Sequence, residues 1–498
     1  MPESATLLPE SAAVPLSAPG TPASAARHGL PLRLGVLTEQ LPVALVDEVV
    51  ASAATGKRRC RLLPDRAVMY FVLGLCLFSG ADSMAPPGYR TVMRWLTNGL
   101  RHLPGIVVPT SPALTKARRR LGSAPMAALF DRVRGPAGRA DTRGVAAFGR
   151  QVVAWDGTGI DVADTPLNEA AFGRAGTAGH PQLRLLALIE CGTHALIDAV
   201  FDGFHAASEH VLARRVLSSL RPGMLLLADR NFPGHQLWGE ALATGADLAW
   251  RLKKNIVFIP TAVLPDGSFL SVMGTPAENV RYGQARAAGR PLAGPPTGHT
   301  VRIVEYTVTV SGADGGTRVE PFRLVTSLLD HQTAPADQLA ALYHQRWEIE
   351  LGYAEFKCRL RGAEFILRSR SPELVHQEMH AFLVVYQALA DLRTRTAQAA
   401  DLEPARISFT IAVRLARDQA CNQAGADPCT LATALEQTIT DLITETLSAR
   451  RNRFYERIKR PAKNTFATKK PDHLRACSRV DYTLTVTEKQ PLTSHFTK

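Results

Sequence analysis

Apolar residues recur at helical spacing in the first quarter of the chain. The segments 45–50 and 67–78 each place valine, leucine or phenylalanine on one helix face. Pro86-Pro87-Gly88 interrupts this pattern, and a further helix is predicted from Tyr89 to Leu100. We therefore expect a helical domain over residues 31–140. The Ala-, Ser- and Pro-rich residues 1–30 are expected to be a disordered tail.

Another helix is predicted between Ser111 and Gly122. Ser111 would cap it, Pro112 would occupy its first turn, and Gly122 would follow its last turn. Its cationic residues are Lys116, Arg118, Arg119 and Arg120. Such a run can bind DNA phosphates, although a solvated helix face is the alternative.

The pattern changes to β-strands near residue 150. A strand is predicted at Gln151–Trp155, followed by a hairpin of Leu183–Cys191 with Ala195–Phe201. A helix at Ser208–Leu220 and a short buried strand at Leu225–Ala228 come next. This order predicts an α/β domain that begins with residues 148–248.

The remaining residues divide into three parts. Runs at Val301–Val310 and Phe322–Leu328 are strand-like, so residues 249–332 are predicted to form a β-rich insertion. Residues 333–400 are helical and are predicted to complete the α/β domain. Residues 401–498 are predicted to be helical, with a basic tail that is either a DNA-contacting arm or merely a charged tail.

The net charge of +13 over 498 residues favours a polyanionic partner. The seven cysteines are scattered and form no CxxC pair, which indicates a reducing cytoplasm and argues against a disulfide framework or zinc knuckle. No apolar run approaches the roughly 20 residues that span a bilayer, so no membrane association is expected.

Functional side chains recur along the helix predicted at 335–361. With about 100° per residue and Tyr343 at zero, Arg346 falls at about 300°, Glu350 at about 340° and Lys357 at about 320°. An apolar stripe that includes Tyr353 lies beside them. One carboxylate flanked by cations suits Mg²⁺ and DNA phosphates. Intrahelical ion pairs, such as Glu350 with Arg346, are the alternative.

Two aspartates follow apolar strands. Asp156 is predicted to end the first strand, before a turn at Gly157–Gly159, and Asp229 to end the strand at Leu225–Ala228. Two such carboxylates can share metal ions about 4 Å apart, an arrangement suited to in-line displacement at phosphorus. The alternatives are a turn residue for Asp156 and an ion pair with Arg230 or a helix cap for Asp229.

These residues resemble the insertion-sequence-four family of bacterial transposases. Tyr343, Arg346, Glu350 and Lys357 match its Tyr-x₂-Arg-x₃-Glu-x₆-Lys signature. The Asp156-Gly-Thr and Ala-Asp229-Arg segments are similar to its two aspartate blocks. The resemblance implies a ribonuclease-H-like catalytic core interrupted by a β-rich insertion and preceded by an all-α N-terminal domain.

The resemblance also implies roles for these residues. Asp156, Asp229 and Glu350 would bind two Mg²⁺ or Mn²⁺ ions. Tyr343, Arg346 and Lys357 would hold phosphates near the cleaved end, and Arg230 would assist. The partners would be terminal inverted repeats and target DNA, bound by a homodimer in the synaptic complex.

Some members of this family stabilise a hairpin intermediate by flipping a base onto a tryptophan of the insertion. No tryptophan lies between Trp250 and Trp347, so Tyr282, Tyr306 or Phe322 would have to take that place. Two other functions remain open on sequence grounds. One is a catalytically silent DNA-binding protein derived from a transposase, and the other is a metal-dependent nuclease or phosphatase.

Overall fold

A computed structural model gives the fold of the protein. It describes the following residues: 30–53, 63–80, 86–101, 103, 106–176, 178–254, 256–290, 292–293, 297–311, 317–362, 366–423, 425–448, 481–487 and 496–497. The predicted tail at 1–30 and the basic segment at 450–470 lie outside these ranges, except for Leu30.

The N-terminal region is helical, as its apolar spacing predicted. Its helices are α1 (Val43–Ala53), α2 (Asp65–Leu77), α3 (Tyr89–Leu96), α4 (Ser111–Leu121) and α5 (Ala124–Val133). The apolar run gives α2 a fully buried stretch from Ala67 to Leu77. The predicted cap of α4 is wrong by one residue. Thr110 caps it, because its hydroxyl accepts the Ala113 N–H, and Ser111 is already helical.

The α/β domain begins at residue 146. Its first elements are β1 (Ala146–Ala147), β2 (Arg150–Asp161), α6 (Pro166–Phe172), β3 (Gln182–Glu190), β4 (Leu196–Gly203), α7 (Glu209–Val216), β5 (Met224–Ala228), α8 (His235–Leu242) and β6 (Asp247–Arg251). The predicted hairpin is present as β3 and β4, which pair antiparallel. Strands β2, β5 and β6 run parallel to one another, so their carboxyl ends lie at the same edge.

The insertion is β-rich and also contains a helix that the sequence did not predict. Its elements are β7 (Ala262–Val263), β8 (Phe269–Gly274), α9 (Pro276–Ala287), β9 (Leu292–Ala293), β10 (Gly298–Ser311) and β11 (Thr317–Thr326). Strand β11 pairs antiparallel with β6 and then with β10. The insertion therefore extends the central sheet, whose order is β4-β3-β2-β5-β6-β11-β10-β8-β7.

Helices dominate the rest of the described chain. They are α10 (Ala336–Tyr343), α11 (Trp347–Ala354), α12 (Pro372–Ala399), α13 (Phe409–Asn422) and α14 (Pro428–Thr444). Two short strands follow, β12 (Asp481–Val486) on β10 and β13 (Phe496–Thr497) on β9. In the described ranges, no helix is both long and apolar enough to cross a bilayer.

Alternating residues of β2 divide the interior into two cores. Val152 and Ala154 belong to a core shared with the N-terminal helices and α12. Val153 and Trp155 belong to a second core on the opposite face, beneath α7 and α8. Because successive side chains of a strand point to opposite faces, this alternation fixes the face on which each later residue of β2 lies.

Candidate active site

Asp156 lies in the middle of β2 and not at its end. The predicted turn at Gly157–Gly159 is wrong, because pairing with β3 continues to Asp161. On the other side, pairing with β5 is present only up to Ala154. Asp156 is therefore held rigidly by one neighbouring strand while its other edge stays open towards the end of β5.

Asp229 directly follows β5, as predicted. The parallel register pairs Ala154 with Leu227, two residues before Asp156 and Asp229, and Asp229 is close enough to Asp156 to raise its pKa. Asp156 belongs to the sheet face of Ala154. The Asp229 carboxylate accepts the Asn231 N–H at 2.7 Å. The neighbouring Arg230 is exposed.

The segment with the signature residues is not one continuous α-helix, contrary to the sequence prediction. A 3₁₀ turn at His344–Arg346 separates α10 from α11, and a π-helical turn occupies Glu355–Leu360. The π turn is closed by a bond from the Arg361 N–H to the Phe356 carbonyl at 3.2 Å. Ideal helix angles therefore do not apply across 343–361.

Arg346 connects two of the predicted catalytic carboxylates. Its Nη1 lies 3.8 Å from Asp156 Oδ2, and its Nη2 lies 3.4 Å from Glu350 Oε1. The predicted intrahelical pair with Glu350 is therefore present, but the same guanidinium also reaches β2. Because its two terminal nitrogens each contact one carboxylate, the Arg346 guanidinium lies between Asp156 and Glu350.

The other two signature residues contact β5 and β2. The Tyr343 hydroxyl donates to the Ala228 carbonyl at 3.1 Å, and its side chain is only 4% exposed. Lys357 Nζ donates to the Thr158 hydroxyl at 2.5 Å. Burial lowers the pKa of Lys357, and nearby Arg361 lowers it further. Arg361 itself is buried, and burial lowers its pKa to about 10.

The environment of Asp156 disfavours its charge. Burial, helped by nearby Asp229 and Glu209, raises its pKa to about 6 against the opposing effects of the Arg346 guanidinium and the Gly157 N–H. A bound cation would relieve this burial and repulsion. The carboxylate oxygens of Asp156, Asp229 and Glu350 are the donors that Mg²⁺ and Mn²⁺ prefer, so their chemistry fits divalent cations.

These carboxylates are not yet gathered around one point. Across the described ranges, no group of three or more His, Cys, Asp or Glu side chains is arranged as a ready metal-binding cluster. The Arg346 guanidinium lies against two of the three groups that would form one. Cation binding would therefore require the Arg346 guanidinium to move away from Asp156 and Glu350.

Tyr353 is a site residue that the sequence placed only in the apolar stripe. Its hydroxyl donates to the Asp156 carbonyl and accepts the Ala187 N–H at 3.1 Å. Asp156 and Ala187 are paired across β2 and β3. One side chain of α11 thus binds both partners of this pair, and α11 also carries Glu350. The only sequence signal was a hydroxyl within an otherwise apolar stripe.

Glu348 and Glu355 are two further carboxylates of the same segment. Both bind the fully buried His194, at 2.7 Å from Nε2 and 2.8 Å from Nδ1 respectively. Glu355 also accepts two bonds from Arg393, at 2.9 and 3.0 Å. Burial alone would lower the pKa of His194, but Glu355 and Glu348 raise it above its ordinary value.

The cationic run of α4 divides into buried and exposed residues. Arg118 is 1% exposed and donates to Gln377 at 2.9 Å and Ser369 at 3.1 Å, so its prediction as a DNA contact is wrong for this structure. Arg120 pairs with Asp65 at 2.9 Å. Lys116 and Arg119 are exposed.

Two of the three aromatic residues considered for a flipped base are buried. Tyr306 and Phe322 stack on each other with ring centroids 5.4 Å apart, and the Arg251 guanidinium lies 4.0 Å from the Phe322 ring. Neither ring face is available to a base in this arrangement. Tyr282 lies on α9 and is only partly buried.

The distribution of free cysteines agrees with the absence of a disulfide framework. Within the described part of the chain, Cys76, Cys191, Cys358, Cys421 and Cys429 are all free. Cys60 and Cys477 lie outside it.

Among solved structures, a cryo-EM structure of a piggyBac transposase synaptic complex with hairpin DNA aligns with a TM-score of 0.41 and 10% identity. The alignment covers 84% of this chain and 86% of that chain.

Sequence comparisons identify the family of the chain and two of its domains. Residues 31–131 match the family model "Insertion element 4 transposase N-terminal", and residues 147–387 match "Transposase DDE domain". The chain is 29% identical to the transposase InsG for insertion sequence element IS4 of Escherichia coli, over 70% of this chain and 74% of that protein. It is 27% identical to the putative transposase InsZ of the same organism, over 44% of this chain and 72% of that protein. The chain therefore belongs to the IS4 family of transposases, metal-dependent enzymes with a DDE catalytic domain.

Proposed function

We propose that this transposase binds the terminal inverted repeats of its own insertion sequence, cleaves the DNA at the element ends and joins the 3′-hydroxyl ends to target DNA. The observation that carries the proposal is the contact of Arg346 with both Asp156 and Glu350, with Asp229 close enough to raise the pKa of Asp156. Three carboxylates from distant parts of the chain thus lie along one edge of the sheet.

The carboxylates of Asp156, Asp229 and Glu350 would hold two Mg²⁺ or Mn²⁺ ions. Such ions activate the attacking water or 3′-hydroxyl and stabilise the leaving oxygen at phosphorus. Tyr343 holds the end of β5 through the Ala228 carbonyl, which positions the following Asp229. On DNA binding, Arg346 and Lys357 would turn their charges towards phosphates on either side of the cleaved bond.

The DNA backbone would lie along the carboxyl ends of β5 and β6. Arg230 follows β5, and Lys253 and Lys254 follow β6, so all three lie at the same edge as Asp229. All three are exposed, and no ion pair to another described residue holds them. Exposed cations beside the catalytic carboxylates suit phosphate contacts that fix the position of the DNA without reading its sequence. Lys116 and Arg119 of α4 would make further contacts.

Holding two element ends together calls for two copies of the protein, so we expect a homodimer on DNA. The mass of the complex formed with a terminal-repeat duplex would show one copy or two. A complex that contains a single copy at every protein concentration would contradict this part of the proposal.

The substitution Glu350→Gln tests the proposed chemistry. It keeps the size of the side chain and removes the charge that a cation needs, so we expect cleavage of a labelled terminal-repeat duplex to fall at least about a hundredfold. Binding of the same duplex should remain within about threefold, since Glu350 contributes no positive charge to DNA binding.

Glu403→Gln, an exposed substitution far along the chain, is the matched control and should cleave like the wild type. Cleavage that persists in Glu350→Gln would refute the assignment of Glu350. Equal cleavage of unrelated duplexes by the wild type would favour a general metal-dependent nuclease.

A further inference from the structure

Glu209 is the first residue of α7, and the established signature assigns it no role. The preceding Ser208 caps this helix by accepting the Val211 N–H. Helix α7 packs on the sheet face of Val153 and Trp155, with which its apolar residues share a core. Gly157 is the next residue of β2 on that same face.

The Glu209 side chain lies directly over Gly157. A β-carbon built at Gly157 would meet Glu209 Oε1 at 2.7 Å, Cγ at 2.8 Å and Cδ at 2.9 Å. Any other residue at this position would displace the glutamate. The backbone of Gly157 does not have a positive φ, so the close approach of Glu209 is what requires glycine here.

This approach brings the Glu209 carboxylate to the residue next to Asp156. The electrostatic effect of Glu209 reaches both Asp156 and Tyr353. Pairing between β2 and β5 ends at Ala154, so β5 does not cover the edge of β2 at Asp156 and Gly157. Glu209 is thus close to Asp156, one of the carboxylates proposed to bind cations, although it comes from the opposite layer.

Glu209 is partly buried, and among the described residues no hydrogen-bond donor or cationic side chain pairs with its carboxylate. Partial burial of a charged carboxylate without a partner lowers the stability of the folded protein, and a bound cation would offset this loss. Its neighbour Asp156 is also acidic, so it adds to this cost and does not relieve it.

We propose that Glu209 supplies a fourth carboxylate to the divalent-cation site of Asp156, Asp229 and Glu350, which it approaches across Gly157. This inference rests on the proposed function, because it assigns one more residue to the same site. Gly157 is then required because it lets an acidic residue of α7 reach a site built from β2, β5 and α11.

The test is the affinity of the full-length protein for Mn²⁺ in the absence of DNA, measured by titration calorimetry. Glu209→Gln should weaken Mn²⁺ binding by about tenfold, the lower end of what supporting groups of metal sites contribute. The control Glu403→Gln should leave it unchanged. The melting temperature without metal should not fall in Glu209→Gln, since the substitution removes an unpaired charge. Unchanged Mn²⁺ affinity in Glu209→Gln would overturn the inference.

Asp156→Asn, measured in parallel, separates this failure from that of the proposed function. If Asp156→Asn weakens Mn²⁺ binding and Glu209→Gln does not, only the role of Glu209 is lost. If neither weakens it, the proposed cation site itself is wrong.

Gly157→Ala provides a second measurement. Because its methyl group would displace the Glu209 carboxylate, it should weaken Mn²⁺ binding in the wild type and have little further effect in the Glu209→Gln background. Equal losses in both backgrounds would show that Gly157 acts through Asp156 alone, and would overturn the inference.

Discussion

Arg346 contacts the two carboxylates that a cation would have to bind, so at the scale of single residues it competes with the ion. We expect Arg346→Ala to raise the Mn²⁺ affinity of the DNA-free protein by about threefold, the value of one modest ion pair. Calorimetric titration would measure this. Cleavage of DNA should fall at the same time, because the guanidinium is also proposed to hold a phosphate.

Arg414→Ala, on the exposed surface of α13, is a suitable control for the loss of one positive charge. An Arg346→Ala protein that binds Mn²⁺ more weakly than the wild type would show that Arg346 gathers the carboxylates and does not compete for them.

Tyr353 links the helix of one proposed catalytic carboxylate, Glu350, to the strand of another, Asp156. Tyr353→Phe removes the hydroxyl that binds the Asp156 carbonyl and the Ala187 N–H, so we expect the free energy of unfolding to fall by about 1 kcal/mol. We expect DNA cleavage to fall by about tenfold, because small displacements of reacting groups are costly. Urea denaturation and a cleavage time course would measure the two effects. Full cleavage with reduced stability would make the role of Tyr353 purely structural.

The sequence predicted the place of Asp229 after a buried strand, which is a local pattern, better than it predicted the surroundings of the other proposed site residues. Glu350 was chosen from a continuous helical stripe, which the 3₁₀ and π turns interrupt. The roles of Tyr353 and Glu209 depend on contacts with residues distant along the chain. The Tyr353 hydroxyl in an apolar stripe and Gly157 after Asp156 are visible in the sequence. Neither pattern predicts which distant residue each of them contacts.

At the scale of elements, the back of α11 is held by a buried ionic cluster. His194 donates from both ring nitrogens to Glu348 and Glu355, which requires its protonated form, and Arg393 also binds Glu355. Tyr386 lies beside Glu355 at 3.5 Å. This cluster pins α11 to the β3–β4 hairpin and to α12, and so it helps to place Glu350 on the opposite side.

This cluster predicts a dependence of stability on pH. Because the pKa of His194 is raised in the folded protein, its contribution is complete below the unfolded value of about 6.5 and is lost as pH rises through the higher folded value. We expect His194→Gln to lower the free energy of unfolding by about 3 kcal/mol at pH 6, and by progressively less as pH rises. Denaturation of both proteins from pH 6 to 9 would show it. A constant difference would mean that His194 does not titrate in this range.

The lengths of the elements were less predictable than their types. A turn after Asp156 was the natural expectation from Asp-Gly, but pairing with β3 carries β2 onward to Asp161. The sequence also gave no sign of the π turn at Glu355–Leu360. There, Glu355 is drawn to His194 and Arg393, while Phe356 and Leu360 stay in the core. Tertiary contacts outweigh local spacing in both cases.

At the scale of the whole molecule, the N-terminal helices and the catalytic region share one core. Helix α12 packs against α2 and α5, and Arg118 of α4 binds Gln377 of α12. We expect Arg118→Ala to lower the free energy of unfolding by about 3 kcal/mol, because it leaves buried partners unsatisfied. Its DNA binding, measured against salt concentration, should keep the wild-type slope.

Arg119→Ala is the matched comparison from the next position of α4. Arg119 is exposed, so its loss should barely change stability and should reduce the salt slope of DNA binding by about 1. The reverse result, a reduced slope in Arg118→Ala and none in Arg119→Ala, would contradict the division of this helix into buried and exposed cations.

The π turn after α11 has a consequence for how this protein tolerates deletions. A π turn accommodates one residue more than an α turn, so removing an exposed residue within it, such as Cys358, would leave a regular helix. Glu350 precedes the turn and would keep its place, and the residues after the deletion would keep nearly their present orientation relative to α11, because the wide turn already absorbs the extra residue. A single missing codon here would thus leave both Glu350 and the helices that follow it in place, whereas the same loss within the regular helix α12 would turn every later residue of that helix by about 100°.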